Sequence, residues 1–173
     1  MSEILVHNCG PGEYAAVVDI YNHYIEHSAA TFDVTPYSVG ERVPWFAQFG
    51  DEGPHQLLVA KLGDTVAGYC YSARFNPRPA YDISVETTVY VASDAIGRGV
   101  GAALYAELFR RLEGTGLHGA YAGITLPNDA SVALHEKFGF HQIGVETEVG
   151  FKFDRYWSVA RFERRLQATV GDA

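Results

Sequence analysis

Hydrophobic positions along the chain switch between a period of two and a period near 3.6, and the switches mark its elements. Residues 2–8 predict a first strand, where Ile4 and Val6 alternate with polar neighbours and Leu5 blurs the pattern. Pro11 and Gly12 end it. Tyr14, Val17, Val18, Tyr21 and Ile25 then recur at i, i+3, i+4, i+7 and i+11, the apolar stripe of an amphipathic helix. A polar, aromatic loop over 28–36 leads into a shorter helix over 38–49. Two strands, 57–61 and 65–73, are joined by the hairpin turn Leu62-Gly63-Asp64. Asn76-Pro77-Arg78-Pro79 forces a loop, and a long strand follows over 82–92. Val100, Leu104, Leu108 and Leu112 share one face of a helix over 99–113, closed by Gly114 and Gly116. A strand over 119–125 and the turn Leu126-Pro127-Asn128-Asp129 come next, and the turn caps a helix that ends at Phe138-Gly139. Two last strands are expected over 140–148 and 152–162, with a frayed end beyond Leu166.

Strands outnumber helices, and one strand–helix–strand unit sits in the second half. One mixed sheet with helices on its faces satisfies that order, an α+β (mixed α/β) class. No repeat, low-complexity tract or linker divides the chain, so a single domain over 1–166 is expected, with 167–173 a flexible tail. Composition changes this little: 173 residues, 47% hydrophobic and 20% charged, are ordinary for one globular domain. No apolar run reaches the roughly 20 residues a membrane span needs. No basic segment followed by an apolar one opens the chain, so the cytoplasm is the expected location. A net charge of −8 argues against nucleic acid as a general partner but leaves room for a local site for one anionic ligand. Cys9 and Cys70 have no metal-ligand spacing and are read as plain thiols without a disulfide.

The chemistry concentrates in one stretch. Val85-Glu86-Thr87-Thr88-Val89-Tyr90-Val91 carries a single carboxylate and runs towards Gly97-Arg98-Gly99-Val100-Gly101-Ala102, which opens the 99–113 helix. Glycines let a backbone approach a ligand, and a helix start supplies free N–H groups and a positive dipole end. Together with Arg98 they suit a phosphate or pyrophosphate. A Walker A loop would need Gly-Lys followed by Ser or Thr, which is absent. A Rossmann fingerprint would need Gly-x-Gly-x-x-Gly near the start of a βαβ unit, whereas the spacing here is Gly-x-Gly-x-Gly past mid-chain. A glycine turn without a ligand is the plain alternative. Glu86, among apolar and hydroxylic strand neighbours, is the candidate general base, expected to be partly buried; a solvated edge carboxylate is the alternative. Thr87 and Thr88 offer hydroxyls beside it on opposite faces.

These residues resemble the GCN5-related N-acetyltransferases, whose signature Gln/Arg-x-x-Gly-x-Gly/Ala is occupied by Ile96-Gly97-Arg98-Gly99-Val100-Gly101, with Ile96 departing at the first position. Within that superfamily the chain is most similar to the phosphinothricin and methionine sulfone or sulfoximine N-acetyltransferases. The likeness rests on Asn22-His23-Tyr24-Ile25-Glu26, Ala80-Tyr81-Asp82, Glu86-Thr87-Thr88-Val89-Tyr90-Val91, Leu126-Pro127-Asn128-Asp129, His135-Glu136 and Gly150-Phe151-Lys152. The resemblance implies two parallel strands that splay apart, with acetyl-CoA as co-substrate in the gap. Val89, Tyr90 and Val91 would pair with the pantetheine arm, and the Val91 N–H would polarise the thioester carbonyl. Gly97, Arg98, Gly99, Val100, Gly101 and Ala102 would hold the pyrophosphate, and Asn128 the arm. His135 would protonate the leaving thiolate. Phe32, Arg78, Tyr81, Glu86, Thr87, Thr88 and Lys152 would bind the acceptor, with Arg78 suited to an acidic group. The implied reaction is direct attack of an α-amine on the thioester, without metal and without an acetyl-cysteine, in an enzyme that is often a homodimer. Two places depart from the subfamily: Asp33 stands where a basic residue is common, and Phe153 to Ser158 lacks an expected Trp-His-Asp order. The acceptor therefore stays open to another small amine or amino acid.

Two rivals remain in view. His23-Tyr24-Ile25-Glu26-His27 fits the inverted zinc-protease pattern, yet both histidines fall opposite the apolar stripe and no third ligand follows. A non-catalytic acyl-CoA-binding regulator would keep the glycine loop and need no base.

Overall fold

The computed structural model describes residues 3–166. Four helices pack on a seven-stranded sheet of order β1-β2-β3-β4-β5-β7-β6. The strands are β1 Ile4–Asn8, β2 Leu57–Leu62, β3 Thr65–Arg74, β4 Ser84–Val91, β5 Gly119–Leu126, β6 His141–Lys152 and β7 Arg155–Arg165. The helices are α1 Tyr14–His27, α2 Val39–Phe46, α3 Val100–Leu112 and α4 Asp129–Lys137. All neighbouring strands are antiparallel except β4 and β5. The expected mixed sheet is thus present, and β4–α3–β5 is the strand–helix–strand unit.

Side-chain alternation builds a core on each face of the sheet. Leu58 and Ala60 of β2 join Cys70, Val85 and the α3 stripe of Val100, Leu104, Leu108 and Leu112 on one face. Leu57 and Val59 join Tyr69, Tyr90 and the α1 residues Val17, Val18 and Ile20 on the other. A strand covered on both sides must read as an unbroken apolar run, which explains Leu57-Leu58-Val59-Ala60. Each α3 leucine, at 3% exposed or less, contributes roughly 1.5–3 kcal/mol by its burial.

Two places differ from the sequence reading, the end of α2 and the final hairpin, and its 167–173 tail lies outside the described residues. Helix α2 starts on a Ser38–Glu41 capping box but stops at Phe46, because Ala47, Gln48 and Phe49 close in short-range turns. The final hairpin is displaced towards the C-terminus: its turn is at Phe153-Asp154, with φ of 54° and 55°, not around Gly150. Gly150 instead lies inside β6, under the ring of Phe32. A Cβ there would sit 2.3 Å from that ring.

Candidate active site

The pairing of β4 with β5 lasts three residues, Ser84 with Gly119, Val85 with Ala120 and Glu86 with Tyr121. Beyond Glu86 the strands part, and β4 keeps only β3 as its neighbour from Thr87 to Val91. A cavity of about 560 Å³ fills the gap, lined by Thr87 to Val91, the start of α3, the end of β5 and the N-terminal turn of α4.

The glycine loop forms one end of this cavity. Gly97 and Gly99 have φ of 79° and 84°, a region that disfavours any side chain. Gly99 is the N-cap of α3 and offers no side-chain cap, and the first intrahelical bond there is Ala103 N–H to Gly99 O. The N–H groups of Val100, Gly101 and Ala102 therefore point out of the helix start uncapped. Gly101 allows the closest approach of the walls, since a Cβ there would lie 3.1 Å from Leu134 of α4. Ile96 lines the cavity while 62% exposed, and the exposed Arg98 stands outside the lining. Tyr24 of α1 closes the inner side, its hydroxyl donating to Val91 O at 2.7 Å. Asn128 caps α4 through Oδ1, which accepts from Ser131 N at 3.2 Å, and lines the cavity.

His135 is at the α4 side of the cavity lining. It is 3% exposed, with Nδ1 2.7 Å from Ser131 O and Nε2 2.9 Å from the Tyr105 hydroxyl. A carbonyl only accepts, so Nδ1 carries the proton, and Nε2 accepts from Tyr105. Burial pushes the imidazole's pKa down. Both nitrogens thus have partners within the protein.

A second cavity of about 300 Å³ adjoins the first, with Ala30, Gly123 and Thr125 lining both. Glu86 and Phe32 line it, as the sequence suggests, joined by Glu146 and Val149 of β6 and Val159 and Arg161 of β7. The Glu86 side chain is 43% exposed, less enclosed than its neighbours implied, and its Oε1 lies 3.7 Å from Arg161 Nη1. Arg161 Nη2 lies 3.2 Å from Glu146 Oε2. No sequence signal pointed to Arg161 or Glu146, because both sit in the displaced hairpin. Thr87 is turned inward, donating to Tyr121 O at 3.4 Å, while Thr88 lines the first cavity. Arg78 is not among the lining residues. It is exposed at the head of a short turn, and Tyr81, also outside the lining of both cavities, packs on Phe75, which packs on Tyr121.

Lys152 works from beneath. Its buried ammonium donates to Ser28 O at 2.7 Å and Thr31 O at 2.8 Å, tying the loop after α1 to β6. Burial pulls its pKa down, against an opposing pull from Asp33. Asp33 itself accepts from the Tyr21 hydroxyl at 2.7 Å, which fixes the loop from the other side. Among the described residues no group of three metal-ligating side chains forms. His23 and His27 are exposed, stacked at 4.6 Å, with His27 Nδ1 bound to His23 O. Burial raises the Cys9 thiol to about 12 and the Cys70 thiol further, which keeps both protonated and inert.

The family model described as the acetyltransferase (GNAT) family matches residues 17–140. The chain belongs to that family. It is an acetyl-CoA-dependent N-acetyltransferase, and the splayed β4–β5 pair with its glycine loop is the family's architecture. Among its relatives, a phosphinothricin N-acetyltransferase of Streptomyces coelicolor is 49% identical over 87% of this chain and 89% of its own. An L-methionine sulfoximine/L-methionine sulfone acetyltransferase of Pseudomonas paraeruginosa is 29% identical over 95% of each. A phosphinothricin acetyltransferase from Sinorhizobium meliloti, solved in complex with AcCoA, superposes with a TM-score of 0.91 at 29% identity, covering 99% of this chain and 93% of that one.

Proposed function

We propose that this acetyltransferase moves the acetyl group of acetyl-CoA to the α-amine of a small amino-acid-like acceptor, of the phosphinothricin, methionine sulfone or methionine sulfoximine type. The observation that carries the reading is that two cavities meet at the fork of β4 and β5, with Glu86 on the wall of the second. The names of the relatives support the acceptor class.

In this reading the backbone from Gly97 to Ala102 holds the pyrophosphate, with the uncapped N–H groups of Val100, Gly101 and Ala102 as donors, and the charge of Arg98 adds to their field from outside. Val89, Tyr90 and Val91 bind the pantetheine arm along the free edge of β4, helped by the Asn128 amide. The Val91 N–H meets the thioester oxygen. Glu86 takes a proton from the acceptor's ammonium, directly or through one water. The free amine then attacks the thioester carbon, the new C–N nitrogen loses its extra proton to solvent, the tetrahedral intermediate collapses as the C–S bond breaks, and the CoA thiolate takes a proton from solvent. Phe32 walls the acceptor, Lys152 holds the loop that carries Phe32, and Arg78 and Tyr81 form the outer rim.

We further propose that the chain acts as a homodimer. Strand β6 is a long exposed edge bearing Ile143, Val145, Val149 and Phe151, each at least 45% exposed. Such an edge pairs with a further chain unless it is covered.

Release of free CoA tests the reaction, measured across amino acids, sulfones, sulfoximines, phosphinates and polyamines. Turnover is expected with the amino-acid-like acceptors. Glu86→Gln should keep CoA binding and lose about 100-fold or more in turnover. Unchanged turnover would remove Glu86 from the mechanism, and CoA binding without turnover on any acceptor would favour the regulator.

A further inference from the structure

The acceptor pocket contains a cation whose seat is built by three elements. Arg161 of β7 lies across Gly123 of β5, its register partner, where a Cβ would meet Nη1 at 2.9 Å. Only glycine leaves the guanidinium that place. From the other side Glu146 reaches Nη2 at 3.2 Å. Glu146 stands where β6 departs from regular pairing: Glu146 opposes Val159 and Gly150 opposes Trp157, so three residues of β6 face one of β7 between those pairs. Glu148, inside this bulge at φ 52°, is fixed by its N–H donating to Ser158 Oγ at 3.0 Å. Bulges of this kind re-aim side chains beside active sites. Here the bulge brings Glu146 and Val149 to the pocket wall.

The seat holds Arg161 without using it up. Nη1 is 3.7 Å from Glu86 Oε1, an ion-pair spacing longer than a hydrogen bond, so its N–H donors stay unspent towards Glu86. The guanidinium is 45% exposed at the pocket. A planar fork with free donors beside the base is suited to a second, anionic group on the same small molecule. In an α-amino acid the nitrogen and the nearer carboxylate oxygen are about 3 Å apart, as three covalent bonds dictate. That separation matches the spacing of Glu86 and Arg161.

Resting on the acetyltransferase reading above, we propose that Arg161 binds the acceptor's α-carboxylate, with Glu146 as its positioning partner. The amine would then sit at Glu86, the acid at Arg161, and the side chain against Phe32, Val149 and Val159. The acid-binding role suited to Arg78 on sequence grounds passes to a residue 83 positions further along.

The test compares kcat/KM for an α-amino acid and for its primary amide, which keeps the amine and loses the charge. The wild-type enzyme should prefer the acid by about 10- to 100-fold, the worth of a charged hydrogen-bonded contact. Arg161→Gln should erase that preference, raising KM for the acid by about 10-fold or more beyond any change it causes on the amide. Arg161→Lys, which keeps charge but loses the fork, should fall between. Glu146→Gln should weaken the preference by lowering kcat/KM for the acid more than for the amide. Equal use of acid and amide by the wild type, or an equal loss on both in Arg161→Gln, would overturn the assignment, the latter pointing to a role through Glu86 alone. No CoA release with any α-amine would overturn the acetyltransferase reading and this assignment together.

Discussion

Gly150 shows how much of the site depends on an absent side chain. Phe32 reaches the acceptor pocket by laying its ring over Gly150, and Lys152, two residues on, grips the carbonyls of the same loop. A methyl group at 150 would meet the ring edge 2.3 Å away, far inside contact distance. Gly150→Ala should therefore displace Phe32 and raise the acceptor KM by about 10-fold or more, with the KM for acetyl-CoA unchanged. Steady-state kinetics with each substrate varied in turn would decide this. An unchanged acceptor KM would show that the Phe32 wall is dispensable.

The last hairpin is the element in which conformation departs furthest from composition. Its two-residue turn places Phe153 and Asp154 in the left-handed region, where Asn-Gly would be the relaxed choice. Asp154→Gly should raise stability by up to about 1 kcal/mol, read as a higher urea midpoint with the denaturant slope unchanged. Phe153 is better kept, since its ring lies 5.0 Å from the Lys152 ammonium. A lower midpoint would mean that the turn tolerates Asp154 without strain. The same turn explains what the sequence concealed. Helix α3 was legible because four apolar residues repeat at the helical period and end at glycine. The β2–β3 hairpin was legible because Gly63 marks it. At the C-terminal hairpin the only glycine nearby, Gly150, serves a contact between residues more than a hundred positions apart, so local reasoning put the turn there. Glu146 and Arg161 escaped notice with it, because their partnership exists only once the register is known. The glycine loop and the helix start it leads into were readable, since both are written in consecutive residues. His135 was visible as a residue type, but its commitment to Tyr105 and Ser131 is a property of packing.

At the scale of the molecule, the proposed dimer would cover exposed apolar residues of β6, the turn beyond it and the start of β7, Phe151, Phe153 and Tyr156 among them. Light scattering should give about twice the 19.0 kDa chain mass. Phe151→Glu combined with Ile143→Lys should reduce it to one chain. A wild-type monomer at working concentration with full activity would sink the dimer.

The cofactor cavity takes its lining from residues between Tyr24 and His135, and the family model likewise ends at 140. The outer wall of the acceptor pocket is made by Glu146, Val149, Val159 and Arg161, all later in the chain. On the proposed function, donor and acceptor recognition are written in successive passages of the chain, with Glu86 and the Phe32 loop as the hinge between them. Changes in the closing passage can redirect which amine is modified while the part that handles acetyl-CoA is inherited intact.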